Sequence, residues 1–294
     1  MANHDHSHAH PGAARTLGWA AALTLGFACL EALGGWWTGS LALLSDAGHM
    51  LGDGAALVLG AIAGWMAQRP PSQRHSYGFG RAEVLAAVVN AAAMLAIVLA
   101  IALEASARLD EPSEVQGGAA AVIALVGLAV NLVILRRLAP HRHDMNARAA
   151  LLHVVGDALG SVAAMVSGIV IVVTGWTPID PIASLAICVL IAASALRLLR
   201  EGLHALMEGV PHGLSVEAIG TEMARVEGVR SVHDLHVWAL SGSRTALSAH
   251  VVVGSMAEWE RILGELQARL HERFGIDHVT LQPESPPVRP LVRR

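Results

Sequence analysis

His49-Met50-Leu51-Gly52-Asp53 recurs in the chain as His153-Val154-Val155-Gly156-Asp157, with the histidine, glycine and aspartate kept in place. Each copy lies inside a long apolar stretch. On an α-helix, residues i and i+4 sit one turn apart on the same face. Each copy therefore aims one imidazole and one carboxylate the same way. Two such helices facing each other bring together two His and two Asp, a full donor set for a tetrahedral divalent-metal site. The glycine before each aspartate is expected to let a neighbouring helix approach closely. A plainer reading exists for any single copy, a hydrogen-bonded structural His or Asp. Repetition in two segments of membrane length argues against it. An Asp at the bilayer centre costs about +2.5 to +3.5 kcal/mol on insertion scales, and such groups usually serve function.

The rest of the composition agrees with a membrane setting. Of 294 residues, 54% are hydrophobic and only 15% charged, against roughly 25% charged in soluble domains. The net charge of -4, with basic residues scattered, implies no nucleic-acid partner. Cys29 and Cys188 are the two cysteines. Both lie in apolar runs, which suggests neither a disulfide framework nor a thiolate metal site. Sixteen His against one Tyr and three Phe favour metal or proton chemistry.

Six apolar segments, near or above the ~20 residues that cross a bilayer, run Leu17–Thr38, Leu41–Gln68, Ala82–Leu109, Ala119–Leu138, Ala147–Gly175 and Pro181–Arg200. Arginines mark alternate loops: Arg69, Arg74 and Arg81, then Arg136, Arg137, Arg142 and Arg148, then Arg197 and Arg200. The other loops, Gly39-Ser40, Asp110–Glu114 and Thr177–Asp180, are poor in cations. The positive-inside rule then puts both termini in the cytoplasm. Trp36, Trp37 and Trp65 read as interfacial anchors.

The chain divides into a His-containing tail (1–14), a six-helix transmembrane domain (15–208), a soluble domain (209–286) and a loose C-terminal tail (287–294). In the first tail, His4, His6, His8 and His10 cannot build a core and predict disorder. The tail reads either as a tag-like or solvated segment or as a weak metal collector, and not as a signal peptide. In the soluble part, Ser215–Val226 has helical spacing, Ser231–Leu240 and Thr245–Val253 read as strands around a Ser241-Gly242-Ser243 turn, Ala257–Phe274 is an amphipathic helix and Val279–Leu281 a short strand. The order α-β-β-α-β predicts an α+β sandwich with its helices on one sheet face.

Four stretches carry a family resemblance. They are Ser40-Leu41-Ala42-Leu43-Leu44-Ser45-Asp46-Ala47-Gly48-His49, then His153–Asp157, then Val232-His233-Asp234-Leu235-His236-Val237-Trp238, and His278-Val279-Thr280-Leu281-Gln282-Pro283-Glu284. Together they resemble the cation diffusion facilitators, which export zinc and related divalent cations. The resemblance covers nearly the whole chain. It implies a homodimer, six helices per protomer, a cytoplasmic ferredoxin-like domain, and exchange of metal for protons. The family's transport site matches His49, Asp53, His153 and Asp157.

The chemistry of those four residues gives the same expectation on its own. Imidazole with carboxylate suits Zn²⁺, whereas an all-carboxylate site leans toward Mn²⁺ or Mg²⁺. The lack of Cys and Met ligands argues against copper(I), and cadmium or cobalt stays open. Metal loading needs neutral imidazole and ionised carboxylate, so it displaces protons. Free His titrates near ~6.5. An alternating-access cycle follows, with zinc bound from the cytoplasm and displaced by protons on the far side.

Other polar residues have two readings each. Asp46, one helical turn before His49, supports the ligands, belongs to a proton route, or packs and caps a helix. Glu31, Glu83, Asn90 and Glu104 are read as packing groups. The loop His75–Glu83 resembles a family motif that holds metal in some members. Here Ser72, His75 and Phe79 stand at the matching positions, so His75 alone survives as a weak ligand. His141 and His143 are read as solvated. By the resemblance, His233, His250 and Glu284 match ligands of a soluble-domain metal site. Gln282 and Trp259 or Glu260 stand where some members carry further ligands, so one zinc is expected rather than two. His236 and His278 are weaker candidates, and the plain alternative is a set of surface histidines. Metal there would steady the dimer or sense cytoplasmic zinc.

An intramembrane metalloenzyme needs an open coordination position and a base, typically in His-Glu-x-x-His. The chain has no such phrase, so a transporter is expected, not an enzyme. A metal-sensing receptor is the remaining rival, and zinc flux separates the two.

Overall fold

A computed structural model describes residues 11–141, 145–241 and 244–286. The His4–His10 run, most of the expected hairpin turn and the 287–294 tail lie outside the described residues, as do the side chains of His141, Arg142, His143 and Arg148.

Six long helices come first: α1 (Pro11–Thr38), α2 (Leu41–Ala67), α3 (Ala82–Asp110), α4 (Gly117–Leu138), α5 (Met145–Thr174) and α6 (Ile179–Leu206). All six are long and apolar enough to cross a membrane. α1 starts at Pro11 rather than Leu17, because a first-turn proline followed by alanines suits a helix start. α6 runs past Arg200 to Leu206. Hydropathy falls at the arginines, but Arg, Leu and Glu are good helix formers and the helix continues.

The chain forms two compact units, residues 1–59 with 89–197, and residues 60–88 with 198–294. In the first unit the helices meet through small residues. A side chain on Gly117 would strike the Gly168 carbonyl at 2.8 Å, and one on Gly168 the Gly117 carbonyl at 2.6 Å. α4 and α5 therefore cross backbone to backbone. Large apolar side chains such as Leu33, Trp36, Val173 and Leu190 point outward, as lipid permits. Arg108, at the end of α3, bonds the Gly39 carbonyl at 2.6 Å and pairs with Glu104, so Glu104 sits at a helix end.

The second unit holds α7 (Val216–Ala224), β1 (Val229–Ser241), β2 (Arg244–Val253), α8 (Trp259–Phe274) and β3 (His278–Glu284). Ser215 caps α7 by accepting the Ala218 N–H. The sheet order is β1-β2-β3, with β1 antiparallel and β3 parallel to β2. Leu247, Ala249, Val251 and Val253 of β2 pack with Ile219 and Met223 of α7 and with Ile262, Leu266 and Leu270 of α8. The helices thus cover one sheet face, and alternation turns the even-numbered residues of β2, His250 among them, to the other.

Candidate metal centre

α2 and α5 run antiparallel where the repeated phrases meet. His49 of α2 lies beside Asp157 of α5, Nε2 to Oδ1 at 3.9 Å, and Asp53 lies beside His153, Oδ2 to Nε2 at 3.4 Å. Within each phrase, His49 Nδ1 is 3.4 Å from Asp53 Oδ2, and His153 Nε2 is 3.7 Å from Asp157 Oδ2. One ligand atom from each of the four residues can be chosen so that all lie within 4.8 Å of one another. Ligands ~2.0–2.1 Å from a tetrahedral zinc stand ~3.4 Å apart, so the shortest contacts here match that edge length, while a set of one atom per residue spans up to 4.8 Å. His49 Nδ1, Asp53 Oδ2 and both Asp157 oxygens are buried without a hydrogen-bond partner. Buried polar atoms normally have one. Unpartnered lone pairs turned to one point fit a cation.

His49, Asp53 and His153 line a cavity of about 450 Å³ together with Asp46, Gly156 and Gly160, and Asp157 is not part of its lining. Asp157 is fully buried, while the His153 side chain is 42% exposed. The two glycines before the aspartates differ in role. A side chain on Gly52 would meet Met94 of α3, a close helix contact as expected, but nothing lies within 4 Å of one on Gly156. The expected close approach is therefore absent at Gly156. That glycine borders the cavity instead, because α5 faces the ligands there and not a packed helix.

Beside these four residues, Asp46 is buried and accepts a hydrogen bond from Ser161 Oγ of α5 at 3.3 Å. Asn131 of α4 donates to the same Ser161 oxygen at 3.4 Å. Asp180, at the start of α6, accepts from Ser40 Oγ at 2.6 Å and from the Leu41 backbone N–H at 2.5 Å. It caps α2 from another helix. The sequence pattern places it only in a loop, because a cap supplied from far along the chain leaves no local pattern.

In the second unit, His233 and His250 are cross-strand partners, and Glu284 pairs with Val252 one step along the same face. Glu284 Oε1 is 2.7 Å from His250 Nδ1, and Oε2 is 3.0 Å from His233 Nε2. The His250 and His233 contacts hold the Glu284 carboxyl below the usual range, against partial desolvation. The ligand atoms of these three residues also lie within 4.8 Å of one another.

His236 and His278 do not join them. β1 bulges between His233 and His236, with Asp234 at φ 51°. Asp234 then binds His236 Nε2 at 3.0 Å and approaches His250 Nε2 at 3.7 Å. His278 packs edge-on against Tyr77. His75 sits in a turn with Ser72 and packs on Phe79, 4.4 Å between ring centres, and belongs to neither group of converging ligand atoms. Asp234 is a further acid at this cluster, absent from the sequence candidates. Its place in the phrase His233-Asp234-Leu235-His236 was the available signal.

Residues 19–207 match the family profile described as the cation efflux transmembrane domain. The chain belongs to the cation efflux family. Residues 211–286 match the profile of the cation efflux protein cytoplasmic domain, so the α+β unit is that domain. The zinc transporter ZitB of Escherichia coli (strain K12) is 40% identical over 292 residues, 96% of this chain and 93% of the relative. A cadmium, cobalt and zinc/H(+)-K(+) antiporter of Bacillus velezensis is 38% identical over 288 residues, 96% and 92% of the two chains. The metal cation efflux system protein CzcD of Cupriavidus metallidurans is 38% identical over 285 residues, 96% and 90%. The resemblance to cation diffusion facilitators therefore stands, and with it a transporter rather than an enzyme. Like the family, the chain combines six membrane-length helices with a C-terminal ferredoxin-like domain.

Proposed function

We propose that this cation efflux protein exports zinc from the cytoplasm in exchange for protons, through a site made of His49, Asp53, His153 and Asp157. The observation that carries the reading is the convergence of two imidazoles and two carboxylates on unpartnered buried atoms between α2 and α5. That donor set balances a dication with two negative charges and favours zinc over hard cations. Relatives named as a zinc transporter and as a cadmium, cobalt and zinc/H(+)-K(+) antiporter support the cargo class and the counter-ion. They also leave cadmium and cobalt as secondary cargo.

The site's groups perform the cycle by titration. Open to the cytoplasm, the imidazoles are neutral and the carboxylates ionised, and they take the cation. Open to the other side, protons compete for His49 and His153 and the cation leaves. The rise in exposure from Asp157 to His153, toward the α5 N-terminus, supports a form open on the side of the arginine-rich loops. By the positive-inside rule that side is the cytoplasm, with both termini there. The bacterial relatives support placement in the inner membrane of a bacterium, and the match of the cytoplasmic domain to its family profile supports a homodimer in the lipid bilayer. His233, His250 and Glu284 hold a separate zinc in the cytoplasmic domain, with a regulatory rather than a transporting role.

Reconstitution in proteoliposomes tests this. Wild type takes up zinc when a pH gradient is imposed, and Asp157→Ala loses that uptake. The quadruple Ala variant of the site also loses its intramembrane zinc in a binding titration. Unchanged zinc/proton exchange in the Asp157→Ala protein overturns the assignment.

A further inference from the structure

Glu31 of α1 is fully buried, and neither of its oxygens has a hydrogen-bond partner. The helix packing fixes what it faces. Gly35 lies against Leu43 and Leu44 of α2, Ala28 clusters with Met50, and Gly54 lies against Leu25. The two helices are antiparallel, so Glu31 falls between the 35–43 and 28–50 contacts, alongside Asp46 and Ala47. Asp46 is itself buried. It bonds Ser161 of α5, one helical turn from the ligand Asp157. On the α4 side the polar neighbour of this group is the neutral Asn131, bonded to the same Ser161. The titratable groups on Glu31's side of the site are thus Asp46 from α2 and Asp157 from α5, both acids. Among the described residues, no cation pairs with Glu31.

An ionised carboxylate without water, hydrogen bond or counter-charge is the costliest state a buried side chain can take. Two acids that share such a place do not both ionise. We propose that Glu31 is the transporter's internal proton carrier, exchanging its proton through Asp46 with the transport site. This rests on the zinc/proton reading above. With zinc bound the pair holds one proton, on Asp46. When zinc leaves, that proton passes to Glu31 as a second arrives at Asp46. One O–H bond on Asp46 breaks, one on Glu31 forms, and the incoming proton remakes the Asp46 O–H, the two acids never being ionised together. Zinc loading runs the same step in reverse. Neither Glu31 oxygen is hydrogen-bonded in this structure, so each transfer needs the two carboxyl groups to draw together. Glu31 touches no cargo and acts through Asp46.

The test compares wild type, Glu31→Gln and Glu31→Asp in proteoliposomes. Glu31→Gln copies the protonated shape and carries no exchangeable acid proton. It is expected to keep zinc affinity and zinc/zinc exchange at equal pH within about twofold, while pH-driven zinc uptake drops about tenfold or more. Its proton release on zinc binding should fall by about one per zinc. A protonated-carboxyl band in the infrared difference spectrum of wild type should vanish in Glu31→Gln. Glu31→Asp retains an acid and is expected to couple better than Glu31→Gln. A packing role ranks them the other way, since Gln is the closer shape, and that ranking overturns the proposal. So does Glu31→Gln with wild-type uptake and wild-type proton release. If wild type itself ignores the pH gradient, the zinc/proton reading fails first and takes this proposal with it.

Discussion

Asp180 Oδ2 accepts the backbone N–H of Leu41 at 2.5 Å, and its other oxygen accepts Ser40 Oγ at 2.6 Å. The carboxylate of α6 therefore sits on the positive end of α2, the helix that carries His49 and Asp53. Substituting Asp180→Ala removes both cap and charge. Thermal unfolding in detergent should show a loss of about 1–2 kcal/mol, with Asp180→Asn intermediate. An unchanged midpoint for Asp180→Ala removes the capping role.

Gly160 and Gly156 lie one turn apart on α5, yet only one tolerates a side chain. A Cβ at Gly160 lands on the Asp46 carboxylate, while one at Gly156 meets nothing within 4 Å. Gly160→Ala should destabilise the protein by about 1–3 kcal/mol and reduce zinc uptake. Gly156→Ala should stay within about ±0.5 kcal/mol. Equal melting of the two variants contradicts the packing described.

His233, His250 and Glu284 form one group able to hold a metal, and His49, Asp53, His153 and Asp157 form another. His233→Ala or Glu284→Gln should lower bound zinc by about one per protomer, the equivalent of one four-coordinate site losing a ligand. Uptake rates at saturating zinc should stay within about twofold. Metal analysis and flux on the same preparation decide it. Loss of uptake with full metal content contradicts the separation of roles.

Glu222 binds Arg269 at 2.8 Å and Arg273 and Arg225 at 3.0 Å. Desolvation pushes its carboxyl up, but Arg269 and the other two guanidinium groups outweigh it and hold it below the ordinary glutamate value of 4.5. A depressed folded-state value adds stability above the unfolded value and loses it as pH falls through the folded one. Glu222→Gln should therefore melt earlier than wild type at neutral pH, and the gap should close as pH drops below 4.5. A gap that is constant with pH excludes the ionised carboxylate as its source.

The repeated His-x-x-Gly-Asp phrase was readable because helical geometry turns a spacing of four into a shared face. Six membrane helices were readable because lipid demands long apolar runs, and the α-β-β-α-β order because strands and amphipathic helices differ in period. Three features needed the packed chain: Asp180 capping α2, Asp234 standing between His236 and His250, and Glu31 set opposite Asp46. Each joins residues from different elements. Local sequence states which face a residue occupies on its own helix or strand. Which faces meet is decided by the packing of whole elements, and there the pairings that control charge and protons are made.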